Sequence, residues 1–275
     1  MRTRAKNIRW VFVLLLLPAL PGVASAQLSK LDEAAKQLVA RLKPLKPSLV
    51  AIADFNSSDG SSPGQAHYLS WYLSSALEEY GKKKLRVVDH KTFDMDLSAI
   101  FPSRPAALTA QALHDNASRV RGDIVIIGNV VDHDGYYSLE FTPVLVAQGT
   151  ALESLRTSIG RSDFLDSLLA PFPAGDVTPP RAGAGGTAIP RCTYCPDPSY
   201  TNLARAVKVQ GIVVMELIIS KDGRVQHLHP LKFLGYGLDE AAYNTIKSWR
   251  FTPVTDKQGT PFEVRIPVEV NFRLY

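Results

Sequence analysis

The stretch 211-GIVVMELIISKDGRVQ-226 decides the fold of the C-terminal part of this 275-residue chain. Gly211 to Ile219 is almost continuously apolar and rich in β-branched residues, the composition of a strand buried on at least one face. Lys221-Asp-Gly-Arg224 supplies the Asp-Gly pair that a tight hairpin turn requires, because its central positions need positive φ. Val225 to Leu234 then returns as the second strand of the hairpin.

Working outward, Leu238, Ala242, Ile246 and Trp249 recur at helical spacing after the hairpin, with Asp239 and Glu240 in the first turn. Acidic residues there complement the helix dipole. Phe262 to Leu274 alternates apolar and polar residues as a long closing strand. Upstream, Asp197 as N-cap and Pro198 at the first helical position predict a short helix over 198–208.

These motifs occur in the order seen in the TonB C-terminal domain family, and the chain resembles that family over roughly its last 80 residues. The matching residues are Ala206, Gly211 to Val213, Asp222 to Val225, Leu238 to Ala242, Trp249 to Pro253 and Phe272 to Leu274. One departure is Tyr200-Thr201, where the family commonly has Tyr-Pro. The resemblance implies a small domain of two helices on an antiparallel three-stranded sheet. It implies binding rather than catalysis, by adding a partner segment to an edge strand. Carried over, the candidate edge is Val264, Arg265, Ile266, Pro267, Val268, Glu269, Val270 and Asn271. Pro267 fits an edge because proline removes a ladder donor, and it equally suits an edge blunted against unwanted pairing.

Residues 171–190, "PFPAGDVTPPRAGAGGTAIP", lack apolar periodicity and read as a linker. Ahead of it, the segments Leu49 to Phe55, Gln65 to Tyr80, Leu85 to Asp89, Ala106 to Arg121, Asp123 to Val131 and Tyr136 to Val146 alternate between strand and helix patterns. One more strand and helix follow within 154–169. That order predicts an α/β layer domain over 27–170 with its own core. "VAIADFNSSDG", "LRVVDHKTF" and "GDIVIIGNVVDHDGYYSLEF" resemble, more loosely, the TolB N-terminal and CsgG-like periplasmic families. The whole chain is therefore of α+β class.

The compartment is read from the N-terminus. Arg2, Arg4, Lys6 and Arg9 precede the short apolar run Trp10 to Leu20, and Ala24-Ser25-Ala26 offers a small-x-small cleavage site. This predicts a signal peptide over 1–26 and a periplasmic protein beginning at Gln27. An uncleaved segment would instead make an anchored energy transducer. Without its four basic residues, 27 Lys and Arg face 26 Asp and Glu, so no basic surface asks for nucleic acid. The expected partners are envelope proteins, among them TonB-dependent outer-membrane receptors, or further copies of the chain. No cofactor, no small-molecule substrate and no enzymatic activity are expected. The alternative reading is an envelope scaffold or secretion accessory that oligomerises through its first domain.

The chain has two cysteines, Cys192 and Cys195. Pro196 follows where haem attachment needs His, and no second cysteine pair completes a zinc site. In an oxidising compartment the two should pair as a local disulfide. Asp54, Asn56 and Ser58 after a buried strand resemble a metal-ion adhesion loop, but a solvated strand-to-helix loop accounts for them. Asp132-His-Asp-Gly135 lacks the spacing of a calcium loop and reads as a turn. His227 and His229 fall on one strand face without a third ligand. No metal ligand or catalytic residue is assigned, and Trp249 and Phe251 are read as core.

Overall fold

A computed structural model describes residues 23–57, 63–82, 85–101, 108–168 and 178–274. It opens on a helix not among the expected elements, α1 (Val23–Leu42), which starts ahead of the expected cleavage point and runs across it. Leu28, Leu31, Ala35, Leu38, Val39 and Leu42 recur every three or four residues and are all buried. Burying each leucine contributes about 1.5–3 kcal/mol. The apolar core of the expected signal peptide lies outside the described residues. Among the described residues no helix is long and apolar enough to cross a membrane.

The first sheet is built around β1 (Val50–Ile52), which pairs in parallel with β3 (Ile124–His133). The short β2 (Asn56–Ser57) extends that pairing. As the turn at 132–135 predicts, β3 folds back antiparallel onto β4 (Tyr136–Leu145). β5 (Thr150–Ala151) and β6 (Leu155–Gly160) complete six strands on the far side of β4. Phe55 lies over β3 at Gly128, where a Cβ would fall 2.5 Å from its ring, so only glycine fits there.

Helices cover both faces. α1 and α2 (Pro63–Gly81) lie on one, while α3 (His90–Ile100) and α4 (Ala110–Asp115) enclose a separate cluster of Ala51, Phe93, Leu97, Val125 and Val144 on the other. The strand expected at 85–89 shrinks to a single parallel bridge from Val87 to Val50. The chain leaves the sheet there because Asp89 already caps α3, accepting a hydrogen bond from the Thr92 amide at 2.9 Å. The helix expected over 106–121 is likewise shortened. Thr109 caps its start at 3.1 Å, and the Asn116 side chain bonds the Ala112 carbonyl where it ends. α5 (Asp163–Ser167) follows β6 and is capped by Ser162.

The C-terminal unit begins with β7 (Cys192–Tyr194) and α6 (Asn202–Ala206). α6 starts later than Asp197 and Pro198 suggested. Thr201 is its cap, accepting from the Ala204 amide at 3.1 Å while its hydroxyl donates to the Tyr236 carbonyl at 2.6 Å. Then come β8 (Gly211–Ile219), β9 (Val225–Lys232), α7 (Leu238–Ile246), the two-residue strands β10 (Arg250–Phe251), β11 (Val254–Thr255) and β12 (Pro261–Phe262), and β13 (Val264–Phe272). The order β13-β8-β9 makes the expected antiparallel three-stranded sheet.

Two separate cores were expected, and one face of the first unit instead shares a continuous core with the second. The seam follows α2. Tyr68 and Trp71 pack on Phe233, with ring centroids 4.9 and 5.6 Å apart, and Phe164 meets Tyr243 at 5.7 Å. Tyr236 donates to the Ser75 carbonyl at 3.3 Å, and Lys247 pairs with Asp163 at 2.5 Å.

Candidate protein-binding edge and the groups around it

β13 stands at one edge of the three-stranded sheet, paired with β8 in unbroken register from Val264 opposite Ile219 to Phe272 opposite Gly211. Val264, Val270 and Phe272 are buried, while Pro267, Glu269 and Asn271 are exposed. The backbone alternates as well. The Arg265 amide donates to the Pro180 carbonyl at 3.0 Å, and its carbonyl accepts from the Ala182 amide at 3.0 Å. Both groups therefore point away from β8. By the two-residue period of an antiparallel ladder, the backbones of Pro267, Glu269 and Asn271 point the same way.

Pro267 sits at one of these outward positions, where it has no N–H to offer. The outward donors that remain are the amides of Glu269 and Asn271, and no described residue bonds them. The stretch 171–190 was expected to be a linker without apolar periodicity. Its described part, 178–190, instead turns tightly and lays Arg181 beside Arg265 in a parallel bridge. That contact covers the beginning of the β13 edge, and among the described residues nothing pairs with its second half.

The opposite edge, β9, is less suited to strand addition. Its pairing with β8 shifts register twice, leaving His227 and Leu231 unpaired as bulges. Bulges of this kind protect edges from pairing. They also break the strand face that His227 and His229 were expected to share. His227 is exposed with φ +36°, whereas His229 is half-buried against Glu216 and the Ser167 backbone.

Cys192 and Cys195 form a disulfide. β7, which carries Cys192, pairs with β10, and Arg191 and Thr252 exchange hydrogen bonds at 2.8 and 2.9 Å. Trp249 is not plain core, since its Nε1 donates to the Pro196 carbonyl at 3.0 Å. The staple is thus fastened to the Trp-Arg-Phe segment.

Asp239 and Glu240 do more than complement a dipole, because both are buried at the seam. Burial pushes the Asp239 carboxyl up to about 6, against the opposing hydrogen bonds from the Leu234 and Gly235 amides and the Tyr68 hydroxyl. Burial likewise pushes Glu240 up to about 7, with a hydrogen bond to Ser162 opposing it.

The adhesion-loop pattern is described only in part. Ser58 lies outside the described residues, and Asp54 instead faces His67 and His90, two residues that sequence spacing did not flag. Burial would raise the Asp54 carboxyl, but the His67 hydrogen bond and the proximity of both imidazoles outweigh it and hold it well below the usual carboxylate range. Only the fold brings these three together, since 36 positions separate Asp54 from His90.

Residues 196–274 match the family described as Gram-negative bacterial TonB protein C-terminal. No curated protein matches the chain. Among solved structures, the TonB C-terminal domain of Pseudomonas aeruginosa is similar at 20% identity, over 31% of this chain and 86% of that one, with a TM-score of 0.27. Escherichia coli LpoB is similar at 16% identity, over 48% of this chain and 68% of that one, with a TM-score of 0.37. Lipoprotein GNA1162 of Neisseria meningitidis is similar at 17% identity, over 42% and 83%, with a TM-score of 0.30.

Proposed function

We propose, from a chain whose residues 196–274 form a TonB C-terminal domain, that the protein binds an envelope protein in the periplasm by strand addition at β13. The observation that carries this reading is the bare second half of the edge, with the Glu269 and Asn271 amides directed outward and unpartnered among the described residues. A partner segment of a few residues fits there. Main-chain hydrogen bonds supply the affinity, and the exposed faces of Glu269 and Asn271 supply selectivity. A segment of an outer-membrane receptor or transporter is the partner the family suggests. The periplasmic setting rests on the N-terminal pattern of a basic stretch, an apolar run and a small-residue site, and the disulfide suits an oxidising compartment.

Site-specific photocrosslinking in intact cells tests the reading. A photoreactive residue at Glu269 or Asn271 is expected to give one discrete adduct with an outer-membrane protein, while the same residue at Leu231 on the opposite edge gives none. Adducts with a second copy of the chain would replace this reading with that of an oligomerising scaffold. Equal labelling from both edges would remove the edge-specific mechanism.

A further inference from the structure

The strongest unassigned feature is the cluster of Asp54, His67 and His90. Asp54 follows β1, where the Ala53 amide still bonds the Ile126 carbonyl at 3.0 Å. His90 opens α3 just after the bridge between Val87 and Val50. Carboxylate and imidazole therefore stand at the carboxyl ends of two adjacent parallel segments, the place where open α/β sheets hold ligands. His67 reaches the same point from the start of α2.

The donor atoms converge. His67 Nδ1 lies 3.0 and 3.2 Å from the two Asp54 carboxylate oxygens. His90 Nε2 is 3.2 Å from Asp54 Oδ1, and one donor atom from each of the three residues falls within 4.8 Å of the others. Ligands bound tetrahedrally at 2.0–2.1 Å are about 3.3 Å apart, so a cation would fit with small side-chain adjustments. The buried Ser70 hydroxyl donates to Asp54 Oδ1 at 3.1 Å, the outer contact that orients a ligating carboxylate.

A purely structural role accounts for His67, which is hydrogen-bonded to Asp54. It does not account for His90. That side chain is 2% exposed; its Nε2 stands 3.2 Å from Asp54 Oδ1 outside hydrogen-bond geometry, and its Nδ1 has no hydrogen-bond partner among the described residues. A buried imidazole held beside a carboxylate without hydrogen-bond geometry is what a shared cation produces, because an unpartnered buried polar group is otherwise costly.

We propose that Asp54, His67 and His90 bind one divalent transition-metal ion of the zinc class. Two imidazoles and one carboxylate suit zinc and its neighbours, whereas calcium and magnesium call for oxygen donors throughout. The fourth position faces the His67 side, where that ring is 43% exposed. Asp54 also borders a cleft of about 70 Å³ lined by Phe55, Asn56, Leu97 and Phe101, which leaves room for water or a small ligand on the metal.

The test is calorimetric titration of zinc chloride into the untagged, chelator-stripped full protein, with calcium chloride as the comparison. One equivalent of zinc is expected to bind, calcium to give no heat, and Tm to rise by about 5 °C at a hundredfold excess over Kd. Cobalt in place of zinc should show the visible bands of a four-coordinate site. His67→Ala, at a half-exposed position that leaves folding intact, should weaken binding at least tenfold, as should Asp54→Asn. Near-ultraviolet circular dichroism checks that both variants are folded. Absence of zinc binding to the folded protein, or binding unchanged in both variants, overturns the proposal.

Discussion

At the scale of the residue, Gly223 shows how a family motif is enforced. It adopts φ +79° in the Asp-Gly-Arg turn, and a Cβ there would lie 2.0 Å from the Phe251 carbonyl oxygen. The Phe251 amide in turn donates to the Gly223 carbonyl at 2.8 Å, so the hairpin turn and the Trp-Arg-Phe segment are locked backbone to backbone. Gly223→Ala combines a left-handed φ with a backbone collision. It is expected to cost about 3 kcal/mol or more, moving the urea midpoint down by about 1 M. A midpoint shift within error would contradict this account of the turn. The turn glycine was legible in the sequence because its constraint is local. His67 and His90 were not, because each obeys the pattern of its own helix and gains meaning only through Asp54 on a distant strand.

At the scale of the element, α7 carries the buried pair Asp239 and Glu240, whose surroundings fix the sign of a pH effect. Glu240 is raised from 4.5 to about 7 and Asp239 from 3.8 to about 6, both chiefly by burial. The groups facing them are the Tyr68 hydroxyl, the Leu234 and Gly235 amides and Ser162, none of them a cation. Between the unfolded and folded values the folded protein holds protons that the unfolded chain has released. These groups therefore lower stability as pH rises from about 4 to 7. Asp32, buried in α1 and also raised to about 6, adds to the trend. Tm should fall between pH 5.5 and pH 8. Glu240→Gln should flatten that slope and raise stability at pH 8 by up to about 3 kcal/mol. A profile that is flat or rises with pH in the parent protein would contradict it. Strand and hairpin positions in both sheets were legible from alternation and turn residues. The apolar run that precedes α1 obscures it in the sequence, although its leucines recur at helical spacing.

At the scale of the whole molecule, the sequence pointed to two units joined by a linker, and composition supported that division. The seam was not legible. Tyr68 and Trp71 fall within the helix expected over 65–80 and Phe233 within the strand expected over 225–234, and nothing local says that α2 and the β9–α7 connection face each other. The continuous core running from α1 through α2 to β8 and β13 implies one cooperative body. Scanning calorimetry should give a single transition, and two well-separated transitions would contradict a shared core. Such a body also presents β13 from a rigid frame, which lowers the ordering cost of adding a strand.

The claim that the free half of β13 binds a partner through its backbone is tested most directly by Glu269→Pro, with crosslinking read from Asn271 in intact cells. Pro267 shows that the strand accepts proline at an outward position, and the Glu269 amide takes no part in the β13–β8 ladder. The variant is therefore expected to keep its Tm within about 2 °C while the adduct falls at least tenfold. An undiminished adduct in the folded variant would contradict strand addition at this edge.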